Sequence, residues 1–309
     1  EDFTSDDAFV RFLRSVSAES ERTGAPVDLV LNGDVGEFLQ VPAAAEFDAR
    51  QTYTPADYAP MTGPASVQKL KHIMAGHAAF FSELTEWLRV EAPQRKLYVL
   101  KGNHDPQWHW PEVQQTLRQA LNATDEKEAL LVFPKVAYNE GGLYIEHGNQ
   151  YTEEQNRFSN FAEPFEPNDV SRLETPWGSR FVINFFNQIE REKYWVDGVS
   201  PIEALLWYGV AFDMPFALRA IAAFIAAAPQ IIGAKSAEEE QWLGALNDPA
   251  QREEIARRYQ SDPAFRRQFD ASLAAMLVRI DSTPRTTRTL DVEEDPRQIA
   301  LDLINEQDL

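Results

Sequence analysis

The chain has 309 residues, no cysteine, 44% hydrophobic and 25% charged residues, and a formal net charge of −20 at pH 7. This hydrophobic fraction is ordinary for a globular protein and suffices for one elaborated domain or two modest ones, while the lack of cysteine excludes disulfides and thiolate metal sites. So acidic a chain has no basic stripe to neutralise phosphates, which argues against nucleic acid as a bound partner.

The N-terminal part of the chain predicts a helix, a strand and a long loop. Residues 5–21 have a helical pattern, and the apolar run 27–32 predicts a strand that ends at Gly33-Asp34. Residues 40–64, rich in Tyr and Pro, follow neither a helical nor a strand period. We expect them to form a loop after Gly33-Asp34 that contributes substrate contacts, because long loops at a crevice are often functional.

The segment 66–90 carries apolar residues at spacings of three and four, which predicts one long amphipathic helix. A helix between two strand-like runs indicates a βαβ layout with a mostly parallel sheet. His72 and His77 lie within this predicted helix rather than at a strand end, so we interpret both as packing or surface residues.

The tetrapeptide Gly102-Asn103-His104-Asp105 follows the β-rich run 97–101 directly. In one turn it offers a metal ligand, a proton donor and a carboxylate to orient that donor, a combination suited to hydrolysis at phosphorus. His109 follows shortly afterwards among aromatic residues. This histidine has two interpretations, a contact with substrate and ordinary packing.

Gly141-Gly142 joins two short apolar runs and predicts a hairpin, so that the strand 143–146 is antiparallel to its predecessor. This strand ends at His147-Gly148-Asn149. Asn149 then belongs to a polar turn or makes a minor contribution to substrate binding.

Three predicted strands therefore end in polar side chains, namely Asp34, Asn103 and His147. In α/β folds the ligand lies outside the carboxyl ends of the strands, so we expect these side chains to converge on one crevice. Their oxygen and nitrogen atoms are ligands of the kind that hold Mn, Fe or Zn. The sequence thus predicts a hydrolytic site with two divalent metal ions.

Beyond about residue 165 the chain predicts helices at 181–193, 201–234, 236–246, 249–260 and 263–280, and no strand. We expect a core at 1–164, a helical insertion or cap at 165–282 and a return segment at 283–309. The apolar stretch 220–234 is too short to cross a membrane. It predicts a buried helix or hairpin within the cap, with a surface that meets lipid or a partner subunit as the alternative.

The motifs Gly33-Asp34, Gly102-Asn103-His104-Asp105 and His147-Gly148 resemble, in order, the central blocks of the calcineurin-like metallophosphoesterase superfamily. The resemblance implies an α/β fold of the αββα sandwich type, with layered sheets flanked by helices. It also implies that Asp34 bridges two metals and that Asn103 and His147 ligate the second. His104 would stabilise the developing charge or protonate the leaving oxygen, and Asp105 would orient it.

Two blocks of the family pattern, Asp-x-His and Gly-His-x-His, do not occur in the chain. The chain opens in a predicted helix where a strand with Asp-x-His would be expected, and a helix is predicted at 295–307 where the last motif would be expected. We therefore expect this sequence to be the interior of a longer polypeptide. No signal peptide is visible at its start, which leaves the cytoplasm as the default location.

The sequence as a whole predicts a metal-dependent hydrolase of phosphomonoester, phosphodiester or pyrophosphate bonds, acting on a small-molecule or lipid-linked phosphate ester. The alternative is a catalytically inactive scaffold of the same fold whose helical cap binds a protein or a lipid surface. Whether the missing motifs exist elsewhere in the polypeptide discriminates between the two.

Overall fold

The computed structural model describes residues 3–48, 50–151, 154–193, 195–196, 199, 202–231, 235 and 237–278. The chain is of mixed α/β class, as predicted. It divides into two compact units, one that ends at Ile183 and one that begins at Asn184. The predicted return segment 283–309 and the helix predicted at 295–307 lie outside the described residues.

A three-stranded parallel sheet forms the centre of the first unit. Its strands are β1 (Val27–Asn32), β2 (Arg95–Leu100) and β3 (Leu131–Val132), in the order β1-β2-β3. In the register of the first pair, Asn32 lies opposite Leu100. Both strands therefore end at the same level, which brings the loop after Asn32 beside the loop after Leu100.

Helices pack around this sheet and bury its central strand. The core cluster includes Leu84, Trp87, Leu97 and Val99, all at most 2% exposed. The helices of this part of the chain are α1 (Asp6–Thr23), α2 (Pro55–Tyr58), α3 (Gly63–Gly76), α4 (Ala78–Arg89) and α5 (Pro111–Ala120), with 3-10 turns at Pro106–His109 and Asp125–Leu130.

The prediction of one long helix at 66–90 is wrong in one respect, because the segment forms two helices, α3 and α4. The backbone of His77 leaves the helical region between them, with φ −120° and ψ 45°. Its Nδ1 lies 3.1 Å from the Asp6 carboxylate of α1. The break lets α4 pack against α1 and β2 while α3 packs against α5.

Two antiparallel hairpins complete the first unit. The first, β4 (Ala137–Glu140) with β5 (Leu143–Glu146), confirms the predicted turn at Gly141-Gly142, where both residues have positive φ. The second, β6 (Phe165–Glu166) with β7 (Asp169–Leu173), contradicts the prediction that no strand follows residue 165.

The second hairpin belongs with the first unit because its side chains pack there. Leu173 is fully buried in a cluster with Leu39 and Met61, and its N–H donates to the Met61 carbonyl. The short helix α6 (Trp177–Phe181) continues this region. The first unit consequently extends past the boundary predicted at residue 164.

The second unit is helical, as the sequence predicts. A π-helical turn at Val182–Phe186 leads into α7 (Asn187–Ile189), α8 (Ile202–Phe212), α9 (Met214–Ile231), α10 (Ala237–Asn247), α11 (Pro249–Ser261) and α12 (Pro263–Val278). The single helix predicted at 201–234 is two, because the Asp213 carboxylate accepts the Phe216 N–H and starts α9.

Helix α9 contains most of the apolar stretch at 220–234, and its described part confirms the interpretation as a buried helix. Ala220, Phe224 and Ile225 are each at most 2% exposed, and Phe224 packs edge-on against Phe185 within the same unit. Of the helices that the structure describes, none combines the length and the apolar character needed to cross a bilayer.

Candidate active site

Two loops at the carboxyl ends of β1 and β2 hold each other through reciprocal hydrogen bonds. The Asp105 carboxylate, which is fully buried, accepts the backbone N–H groups of residues 34, 35, 36 and 102 and the indole N–H of Trp108, at 2.6–3.1 Å. In return Asp34 Oδ1 accepts the backbone N–H of His104 at 2.8 Å. Each motif therefore fixes the backbone of the other.

The glycines of the two motifs allow this close approach. A Cβ atom on Gly102 would lie 2.1 Å from Asp34 Oδ1, and one on Gly33 would lie 2.5 Å from His147 Nδ1. Gly33 also has φ +78°, and Asp34 itself has φ 52°, a conformation that Asp tolerates better than most residues. The left-handed backbone turns the Asp34 side chain into the site.

The three predicted ligands meet, as the sequence predicts. His147 Nε2 lies 3.1 Å from Asp34 Oδ2 and 3.2 Å from Asn103 Oδ1. On the other side of the ring, His147 Nδ1 lies 2.8 Å from the backbone carbonyl oxygen of Asn32, the last residue of β1.

This arrangement is satisfied either by a proton on His147 Nε2, which then forms an ion pair with Asp34, or by a metal ion in its place. A carbonyl oxygen only accepts, so His147 Nδ1 donates to Asn32, and a neutral ring then presents the lone pair of Nε2 to two further acceptor oxygens. Three lone pairs at this distance repel one another unless a proton or a metal ion lies among them. Their donor set, one carboxylate, one amide oxygen and one imidazole, fits a divalent transition metal.

The pKa shifts of His147 and Asp34 both favour the charged forms of these side chains. The hydrogen bond to Asp34 raises the pKa of His147 to about 8, against the opposing effect of burial. Burial raises the pKa of Asp34, but the hydrogen bond from His147 and the charge and backbone N–H of His104 together lower it below its usual value.

In the metal-free protein we expect this pair to make stability depend on pH. Because the pKa of His147 is raised on folding, its contribution of about 2 kcal/mol is complete below the unfolded pKa and is lost as the pH rises through about 8. Urea unfolding in EDTA between pH 6 and 9 measures it. The difference in unfolding free energy between the wild type and His147→Gln should therefore decrease by about 2 kcal/mol from pH 6 to pH 9; a difference that does not change with pH would contradict the assignment.

The carboxylate beside His104 is Glu37, and this corrects the role predicted for Asp105. Glu37 Oε2 lies 2.6 Å from His104 Nδ1, and Glu37 Oε1 accepts the Leu39 N–H. Asp105 instead holds the two loops together. One feature of the sequence could have identified Glu37 as a site residue, namely that it is a carboxylate in the loop that follows Asp34.

Burial and the nearby Asp34 carboxylate raise the pKa of Asp105 to about 6, while its N–H donors favour the charged form. The group is therefore ionised at neutral pH. Asp34, Glu37 and Asp105 give the site three carboxylates, which makes it a cation-attracting site.

The two residues predicted as substrate contacts, His109 and Asn149, make packing and hydrogen-bond contacts within the protein. His109 packs edge-on against Phe165 with ring centroids 4.8 Å apart, and burial lowers its pKa. Asn149 is 5% exposed and donates to the Asn156 carbonyl, and its Oδ1 has no hydrogen-bond partner among the described residues. These contacts agree with the packing and polar-turn alternatives, and they leave substrate contact a prediction.

Within the described part of the chain, no group of three His, Asp or Glu side chains is arranged to hold a metal ion. The set found here has two such side chains and the Asn103 amide. The chain matches no model of a protein family, no curated protein and no solved structure.

Proposed function

We propose that this protein is a metal-dependent hydrolase of phosphate esters. The observation that carries the proposal is that Asp34 Oδ2 and Asn103 Oδ1 both lie within 3.2 Å of His147 Nε2, with His147 oriented by the Asn32 carbonyl. A metal-binding histidine usually donates its second ring nitrogen to a carbonyl or carboxylate in this way.

In this proposal Asp34, Asn103 and His147 would hold one divalent ion of Mn, Fe or Zn, and Asp34 would also help to hold a second. Such ions, when bound, activate water near neutral pH and neutralise charge on the phosphoryl oxygens. The nearby carboxylates of Glu37 and Asp105 add to the attraction for cations.

His104 supplies the proton that the leaving oxygen needs. Glu37 can only accept at His104 Nδ1, so this nitrogen carries a proton and the proton for the leaving oxygen comes from Nε2. The negative charge of Glu37 also stabilises the imidazolium form from which that proton is delivered. In this proposal Asp105 is a positioning residue and does not transfer a proton, because it fixes the backbone from which Asp34 projects.

The fold is part of the proposal. In a calcineurin-like core of layered sheets flanked by helices, the parallel sheet and the β4–β5 hairpin of this chain are the elements that carry the three central motifs. The helices of the second unit are the proposed cap. Whether this polypeptide binds one or two ions is decided by measurement.

The first experiment is metal analysis of the purified protein after incubation with Mn²⁺, followed by assays with aryl phosphate monoesters and diesters. Two ions per chain and hydrolysis support the proposal. One ion without hydrolysis of any ester supports the inactive scaffold, and no bound ion would contradict the metal site itself.

His104→Ala separates the proton donor from the metal ligands. The variant keeps the backbone N–H that Asp34 accepts, so we expect unchanged Mn²⁺ content and a fall in kcat of about 10²–10⁴-fold. Elemental analysis and initial rates measure the two quantities. Arg22→Ala, at an exposed position of α1 outside the site and the pocket, is the control with both unchanged; loss of metal together with activity in His104→Ala would show that its role is misassigned.

A further inference from the structure

The first unit contains a pocket of about 510 Å³ whose lining includes Asp34 and Glu37 of the candidate site. Five phenylalanines together with aliphatic side chains form most of the remaining wall. Its volume is within the range of pockets that bind small molecules.

The aromatic wall is held in shape by its own ring contacts. Phe80 stacks on Phe9 with centroids 4.2 Å apart and meets Phe81 and Phe3 edge-on, at 5.1 and 6.1 Å. Since each ring is fixed by a neighbour, the wall is ready to receive an apolar group without reorganisation.

The charges around the pocket determine what kind of group it accepts. Among the described residues that line it there is no Lys or Arg. Of the two histidines in the lining, His77 pairs with Asp6, and His72 Nε2 lies 2.8 Å from the Ala44 carbonyl oxygen. The Asp34 and Glu37 carboxylates already face His147 and His104, so the lining favours an uncharged apolar group over a second anionic group.

We propose that this pocket binds the uncharged apolar group, aryl or alkyl, of the phosphate ester whose phosphorus lies at the candidate site. The inference rests on the proposed function, because Asp34 and Glu37 belong both to the pocket wall and to the site. Gln40, Val41 and Phe47 also line the pocket, so the loop after Asp34 provides the contacts that its length predicts.

Gly76 is a position in the pocket lining where a side chain can be added without a steric clash. It lies at the end of α3 and lines the pocket, and a Cβ atom there would meet no heavy atom within 4 Å. Leucine and tryptophan also have higher helix propensity than glycine. Gly244 in α10 has the same open surroundings and does not line the pocket, so Gly244→Leu is the matched control.

The test has a binding arm and a kinetic arm. The binding arm uses the neutral fluorophore N-phenyl-1-naphthylamine with metal-free protein. The kinetic arm compares phenyl and 4-hexylphenyl phosphate esters, whose phenols are nearly equally acidic, so that a difference in kcat/KM reports on binding of the hexyl chain. We expect the hexyl ester to be preferred at least about tenfold by the wild type.

Gly76→Leu and Gly76→Trp should lower fluorophore affinity and the preference for the hexyl ester by about tenfold, with the larger effect in the tryptophan variant. The Gly76 variants should lower kcat/KM for the hexyl ester more than for the phenyl ester, and all properties of Gly244→Leu should stay unchanged. Fluorophore binding or ester preference that is unaffected by either Gly76 variant would overturn the inference.

The two proposals fail in distinguishable ways. Hydrolysis of both esters at equal kcat/KM would leave the phosphoesterase standing and reject the apolar subsite. Fluorophore binding that Gly76→Trp removes, without hydrolysis of any ester in Mn²⁺, would reject the phosphoesterase and with it the assignment of the apolar group to a phosphate ester.

Discussion

Asp34→Asn is expected to remove bound metal and hydrolytic activity together. The amide has the size of the carboxylate and keeps the oxygen that accepts the His104 N–H at 2.8 Å. It lacks the negative charge that faces His147 Nε2 at 3.1 Å. Because bound metal supplies several kcal/mol of transition-state stabilisation, kcat should fall by at least about 10³-fold.

The measurement is Mn²⁺ content by elemental analysis beside initial rates with an aryl phosphate ester. Asp28→Asn is the matched control, since Asp28 lies on the strand that precedes Asp34 and accepts the Tyr138 hydroxyl at 3.0 Å. The control should retain both metal and activity. An Asp34→Asn protein that binds as much Mn²⁺ as the wild type would refute the ligand assignment.

Asp105→Ala is expected to give the largest loss of stability of any substitution considered. It removes the acceptor of four backbone N–H groups and one indole N–H, from a carboxylate with no exposed surface. Each buried donor left without a partner costs about 1–3 kcal/mol. Partial relaxation and water entry reduce the sum, and we expect a decrease in the free energy of unfolding of at least about 4 kcal/mol.

Urea unfolding of the metal-free protein measures this effect. Asp57→Ala is the control, because Asp57 accepts the Thr54 N–H and hydroxyl in an exposed helix cap, where water replaces the lost bonds at a cost of about 1 kcal/mol. Asp105→Asn, which keeps one acceptor oxygen, should lie between the two. Equal losses in the Asp57 and Asp105 alanine variants would show that Asp105 does not hold the loops.

A weakened Asp105 should also weaken the proposed metal site. Asp34 has φ 52°, and the N–H groups of residues 34–36 are kept in place by the Asp105 carboxylate. Without it the side chain of Asp34 loses its fixed direction. Mn²⁺ affinity is therefore expected to fall in Asp105→Ala even under conditions in which the protein remains folded.

The sequence by itself determined the elements that depend on local signals. The apolar runs at 27–32 and 143–146, the glycine pair at 141–142 and the polar residues after each strand predicted the strands, the hairpin and the convergence of three polar side chains. Strand propensity, turn residues and the common direction of parallel strands act over a few residues or follow from topology, so they can be recognised without coordinates.

Only the tertiary structure decided which groups meet across long separations in the chain. Glu37, rather than Asp105, contacts the His104 ring. The helix predicted at 66–90 breaks where His77 meets Asp6. The hairpin after residue 165 forms where Leu173 packs against Met61. Pairings between residues 67 to 112 positions apart are set by packing and loop geometry, which leave no period or motif in the sequence. The pocket lined by Asp34 and Glu37 also depends on the tertiary structure. Its phenylalanines come from α1, α4 and two further segments that only the folded chain brings together.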